Sequence, residues 1–259
     1  MNRNHLSLWL LLAVAFVAVV CVSVFGPVNI FGYRLKDSGI KKAFTQAYIM
    51  APDTIVPIAT VSVEPEPVPV DTLPKTILFF GDSMLDGLYP RLAAYADRNG
   101  HELYAVIWYS STSEVWGRSN RLKEYIDKLG PDYIFVSLGA NELFVKDIAE
   151  KRDGYVKKII SDIGDIPYLW IGPPNWKDDT GINDLIAANV APGCFFRSEG
   201  MRFDRKKDGA HPTTESSAEW MDSIARWMPL HSPHTILMET PEVARSRAKR
   251  VFVHQPNEK

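Results

Sequence analysis

Cysteine is almost absent from this chain: two occur in 259 residues, Cys21 and Cys194. Cys21 lies in an N-terminal apolar stretch, so no intramolecular disulfide is expected, and thiols do not report the redox compartment. An excess of positive charge is lacking too. Lys and Arg number 29 against 31 Asp and Glu, the net charge is −2 and the pI is near 6.3. That leaves no basic footprint for nucleic acid. No paired metal-ligand motif occurs, residues 81–87 lack the glycine loop that cradles phosphates, and no internal repeat is evident. No nucleic-acid partner, metal or cofactor is therefore expected, and a nucleotide-binding protein is disfavoured.

Charge is also missing from residues 6–25, "LSLWLLLAVAFVAVVCVSVF". As a helix this stretch spans about 30 Å, one hydrocarbon core. It is longer than the apolar region of a cleavable signal peptide and ends without a small-x-small cleavage site. The expectation is an uncleaved transmembrane signal anchor over residues 1–26. Only Arg3 precedes the span, whereas Arg34, Lys36, Lys41 and Lys42 follow it. Charge bias thus argues against export of the rest. An anchor followed by a proline-rich spacer is nevertheless a common export layout, and an extracytoplasmic catalytic part, in the periplasm or on the cell surface, is the expectation.

Residues 27–74 form a juxtamembrane segment and linker. "SGIKKAFTQAYIM" has the pattern of a short amphipathic helix, and prolines from Pro52 to Pro74 read as a stiff polyproline-type spacer. From Lys75 the pattern becomes strand–helix alternation. Strands are expected at 76–80, 102–109, 133–138, 166–171 and 194–196, and helices at 88–99, 114–129, 143–163, 182–189 and 213–228. The strands are apolar almost throughout, the mark of a parallel sheet covered on both faces. This α/β domain is placed at 75–230, with a basic C-terminal tail at 231–259 that is either solvated or docked. In such sheets ligands sit at the carboxyl ends of the strands.

Three motifs stand at or near such ends. Gly81-Asp82-Ser83 follows the first strand, Gly139-Ala140-Asn141-Glu142 follows the third, and Asp208-Gly209-Ala210-His211-Pro212 precedes the last helix. Each has a plain structural reading. Ser83 and Asn141 are both suited to cap the helices that follow them. In the third motif an acid three residues before the histidine can hold one ring nitrogen and leave the other free as a base. Pro212 restricts His211 to an extended backbone and suits the start of a helix.

In this order the three motifs resemble the SGNH (GDSL-type) hydrolase superfamily, over about residues 75–229. The resemblance implies a flavodoxin-like three-layer sandwich, here with a five-stranded parallel sheet behind the transmembrane helix, and a serine esterase or acyltransferase. It implies Ser83 as nucleophile, His211 as base and Asp208 as the residue orienting it. The oxyanion hole would draw on the Ser83 amide, the Asn141 side chain and a backbone amide after the second strand. At that last position the family carries glycine and this chain carries Ser110, while Gly117 falls too far into the next helix. Glu142 also departs from the family's usual aspartate.

Only about 70 residues separate Asn141 from His211, which leaves no room for a lid domain. An open site suits an acyl ester on a large carrier. Trp108, Trp116 and Trp176 lie near strand ends, where they are suited either to stack on sugars or to pack the core. The expected substrate is an acetylated carbohydrate of the cell envelope or another ester. Removing the acetyl group and moving it to another hydroxyl use the same triad. The alternatives are a lipase or thioesterase acting on lipid esters, or an inactive SGNH domain that only binds.

Overall fold

The computed structural model describes residues 69–256 and two short strands, Asn29–Ile30 and Tyr33–Arg34. The chain divides into two compact units, Met1–Val63 and Glu64–Lys259. In the first, the two short strands pair antiparallel, with Asn29 opposite Arg34. The expected transmembrane span at 6–25, the amphipathic segment at 38–50 and most of the proline-rich linker lie outside the described residues. Among the described residues no helix is long and apolar enough to cross a membrane.

The second unit alternates strands and helices. Its strands are β1 (Thr76–Gly81), β2 (Glu102–Trp108), β3 (Tyr133–Ser137), β4 (Tyr168–Ile171), β5 (Phe195–Phe196) and β6 (Arg250–His254). Its helices are α1 (Leu85–Asn99), α2 (Ser113–Arg118), α3 (Arg121–Leu129), α4 (Ile148–Ile163), α5 (Ile182–Asn189) and α6 (Thr214–His231). All six strands are parallel, in the order β5-β4-β3-β1-β2-β6. The first five keep the flavodoxin-like order, which reverses direction between β1 and β3. The sheet thus has six strands and not the five expected. The sixth comes from the C-terminal tail, where Val251 pairs with Ala105 and Val253 with Ile107.

Alternate side chains of each strand point to opposite faces, and two cores result. Ile77, Phe79, Ala105 and Phe135 join Leu88, Leu92, Trp220 and Ile224 of α1 and α6. Leu78, Phe80, Val106 and Val136 join Trp116, Leu122, Val156 and Ile186 of α2 to α5. Phe79 and Phe80 are fully buried on opposite sides, each worth about 2–3 kcal/mol of transfer free energy. The stretch expected as one helix at 114–129 is two, broken where Ser119 and Asn120 cap the ends of α2 and α3. The helix expected from 143 begins instead at Ile148, after Asp147 with its positive φ of 54°.

The chain enters this unit at the amino ends of the strands. Asp71 bridges to Ile236, with its N–H donating to the Thr235 carbonyl at 2.8 Å. From Thr76 the six residues of β1 then carry it about 20 Å to the opposite edge. The three motifs gather at that edge.

Candidate active site

Gly81 ends β1 between β2 and β3. A Cβ there would stand 2.0 Å from the Ser137 carbonyl oxygen, so the close approach admits only glycine. Asp82 then accepts the Met84 N–H on Oδ1 at 2.9 Å and closes a tight turn. Ser83 is left half-buried at its outer corner. The N-cap position of α1 is Met84, without a side-chain cap. Ser83 does not cap the helix; its hydroxyl faces His211.

His211 Nε2 lies 2.9 Å from Ser83 Oγ, and His211 Nδ1 lies 2.9 Å from Asp208 Oδ2. The turn that carries the acid and the imidazole is built by the acid itself. Asp208 Oδ1 accepts the N–H groups of Ala210 at 2.8 Å and of His211 at 2.9 Å, leaving Oδ2 for the ring. Those amides, with the ring after them, hold the Asp208 carboxyl down at about 2. Gly209 supplies the positive φ of 71° that the turn requires. The turn is anchored on both sides: Lys206 N–H donates to the His211 carbonyl at 2.8 Å, and Arg205 donates to the carbonyls of Ala210, Pro174 and Asn175.

The second and third loops meet beside Ser83. Ser110 is exposed and has a φ of 57°, the left-handed conformation that a glycine adopts without cost. Among the described residues neither the Ser110 N–H nor the Ser83 N–H has a hydrogen-bond acceptor. Asn141 is no helix cap either. Its Nδ2 donates to the Ser111 carbonyl at 3.0 Å, which fixes the amide and leaves its second N–H uncommitted. Gly139, with a φ of 121°, turns the chain at the end of β3. Gly117 lies inside α2, where a Cβ would meet Tyr155.

Two buried carboxylates underlie this surface. Asp82 is fully buried and its Oδ2 has no hydrogen-bond partner among the described residues. Burial pushes its pKa up to about 7, against the pull of the Met84 and Ala140 amides, and nearby Glu142 adds to the rise. Glu142 is also fully buried, and both its oxygens accept from Ser113. From the sequence Glu142 reads as a cap or a buttress; it is a buttress, and its partner Ser113, 29 residues away, is not legible there.

Two of the three tryptophans offered as sugar platforms are core residues. Trp108 is 4% exposed and Trp116 fully buried, since both pack under the sheet with Phe80. Trp176 alone is half-buried at the surface, its indole N–H donating to the Ala140 carbonyl at 3.0 Å beside exposed Phe144. Among the described residues no group of three or more His, Cys, Asp or Glu side chains is arranged to hold a metal ion.

Ser83, Ser110, Asn141 and the Asp208–His211 turn thus converge at one end of the sheet. No protein-family model matches the sequence, and no curated protein does. Among solved structures the chain is similar to the psychrotrophic esterase EstA from Pseudoalteromonas sp., in a form inhibited by monoethylphosphonate. Identity is 16% over 59% of this chain and 96% of that one, with a TM-score of 0.43. It is also similar to TesA, at 17% identity over 60% of this chain and 99% of that one, with a TM-score of 0.45.

Proposed function

We propose that this chain is a serine esterase of the SGNH type, acting on short acyl esters, acetyl above all, of cell-envelope carbohydrate. The observation that carries this reading is the continuous relay Ser83–His211–Asp208, with both contacts at 2.9 Å. In it Ser83 Oγ–H donates to His211 Nε2, and Nδ1–H donates to Asp208. As Ser83 attacks the ester carbonyl, His211 takes the hydroxyl proton and then returns it to the leaving alcohol. Asp208 holds the tautomer and stabilises the imidazolium. The oxyanion is received by the N–H groups of Ser83 and Ser110 and by the second Asn141 amide hydrogen. Water then releases the acid; a sugar hydroxyl in its place makes the same site a transferase.

The carbohydrate substrate is supported by the openness of the site. The His211 side chain is 31% exposed and Asp208 48%. With residues 6–25 as anchor, the catalytic part stands outside the cytoplasm, where such polymers lie.

The test is hydrolysis of p-nitrophenyl esters from acetyl to octanoyl by the detergent-solubilised chain, beside Ser83→Ala and His211→Ala. Activity lost in both variants and falling with chain length is the expected result. A preference for octanoyl moves the reading to a lipid enzyme. No turnover, with no fluorophosphonate labelling of Ser83, moves it to a binding module.

A further inference from the structure

Beside the Ser83–His211 pair lies an open cavity of about 480 Å³. Its walls are the first turns of α1 and α6, Lys206, and the segment that leads to β6. The backbone turns that carry the two reacting residues adjoin these walls. Asp86 N–H donates to the Ser83 carbonyl at 3.2 Å, and Lys206 N–H donates to the His211 carbonyl at 2.8 Å. Besides buried Arg91, four charged side chains line the cavity, Asp86, Glu215, Lys206 and Arg245, and all four are exposed. They comprise two of each sign, yet among the described residues none of them makes an ion pair. Elsewhere on the surface comparable side chains do pair, as Lys249 with Glu102, Arg98 with Glu239, and Arg197 with both Asp184 and Glu199.

The wall carrying Arg245 is set before any ligand arrives. Arg91, buried beneath it, donates to Asp222 through Nε and to the Val243 carbonyl through NH1, each at 2.7 Å. Ser246 N–H donates to the Pro90 carbonyl at 2.8 Å. Near Asp86 stand Tyr89 and Tyr109, half-buried against the core. Burial, and after it the Asp86 charge, raises the pKa of both phenols and keeps them as hydrogen-bond donors.

An anion in this cavity would meet Asp86 and Glu215, and a cation would meet Lys206 and Arg245. A polyhydroxylated group suits all four, since its hydroxyls donate to the carboxylates and accept from the lysine and arginine.

We propose that this cavity is a sugar subsite that holds the polyhydroxylated alcohol part of the ester whose carbonyl meets Ser83. The proposal rests on the esterase reading and commits it to a carbohydrate alcohol.

The experiment compares 6-O-acetylglucose with p-nitrophenyl acetate on the detergent-solubilised full chain, for wild type, the Asp86→Ala/Arg245→Ala double variant and Ser83→Ala. Both altered cavity residues are exposed, and melting curves check that the double variant folds. The expected result is a fall of at least tenfold in the double variant's kcat/KM for acetylglucose relative to that for p-nitrophenyl acetate, mostly through KM. An unchanged ratio overturns the sugar subsite and leaves the esterase reading standing. So does wild-type hydrolysis of p-nitrophenyl acetate without any hydrolysis of acetylglucose. Turnover of both esters by Ser83→Ala overturns the esterase reading itself, and the subsite with it.

Discussion

Glu142 grips Ser113 with both carboxylate oxygens: Oε2 accepts the Ser113 N–H at 2.8 Å and Oε1 accepts the Ser113 hydroxyl at 2.7 Å. Glu142 follows Asn141, and Ser113 lies three residues after Ser110, so this buried pair ties together the two loops that carry candidate oxyanion donors. Arg152 donates to Oε1 at 2.8 Å and continues to Glu114, which also holds Arg118. Burial raises the pKa of Glu142, against the pull of Ser113 and Arg152.

Glu142→Ala is therefore expected to cost about 3–5 kcal/mol of stability, since it leaves Arg152 and the Ser113 amide without their buried partner. Glu142→Gln keeps the shape and loses the charge. It is expected to fold and to lower kcat while KM stays near wild type. Denaturant melts and steady-state kinetics on p-nitrophenyl acetate check both. Equal kcat in wild type and Glu142→Gln would show that the clamp serves stability alone.

Asn141→Ala removes one donor from the oxyanion site and is expected to lower kcat by about 10²–10³. KM should change little, because the ground-state carbonyl needs this hydrogen bond less than the developing oxyanion does. A loss confined to KM would assign Asn141 to substrate binding.

Ser110→Gly tests why a serine can stand where the resemblance calls for glycine. Its φ of 57° costs a residue with a Cβ about 1–2 kcal/mol, part of which glycine gives back through its looser unfolded chain. The variant is expected to melt at or slightly above wild type and to keep its activity, because the donor is the backbone N–H. Ser110→Pro removes that N–H and also cannot adopt this φ, so it is expected to lose both the loop's geometry and activity. A large loss of activity in Ser110→Gly would mean that the hydroxyl itself takes part.

The parts of this site that were legible in the sequence are those made by short segments. Buried parallel strands read as apolar runs, and Gly81, Asn141 and the Asp208–His211 turn each sit where a run ends or a helix begins. The break between α2 and α3 carried a signal too, in Gly117, Ser119 and Asn120, all poor residues for a helix interior. β6 carried little. An edge strand that is only half-buried needs no apolar run, and Arg250-Val251-Phe252-Val253-His254 stands among basic residues that read as a tail. Pairings remote in the chain, Glu142 with Ser113 or Ser83 with His211 at a separation of 128 residues, come into view only once the sheet is assembled. Burial of Trp108 and Trp116 is of the same kind: a tryptophan near a strand end is a platform or a core residue according to what the next helix covers.

The buried acid beneath the nucleophile gives the last prediction. Asp82 titrates at about 7 in the fold against an ordinary value of 3.8, so between those pH values the native state holds a proton that the unfolded chain has released. Stability must then fall as pH rises from about 4 to about 7, and the full penalty persists above that range. A shift of this size is worth on the order of 4 kcal/mol. Asp208 has the opposite sign, its contribution being lost as pH falls toward 2, outside this window. Asp82→Asn keeps an oxygen for the Met84 N–H and carries no charge at any pH. Its melting temperature is expected to exceed that of wild type at pH 8, with the gap narrowing at pH 4.5, where wild-type Asp82 is itself neutral in the fold. Difference melts at the two pH values measure this directly. Parallel behaviour of the two proteins would mean that Asp82 is already neutralised by some other route, and that the turn presenting Ser83 is held without an uncompensated buried charge.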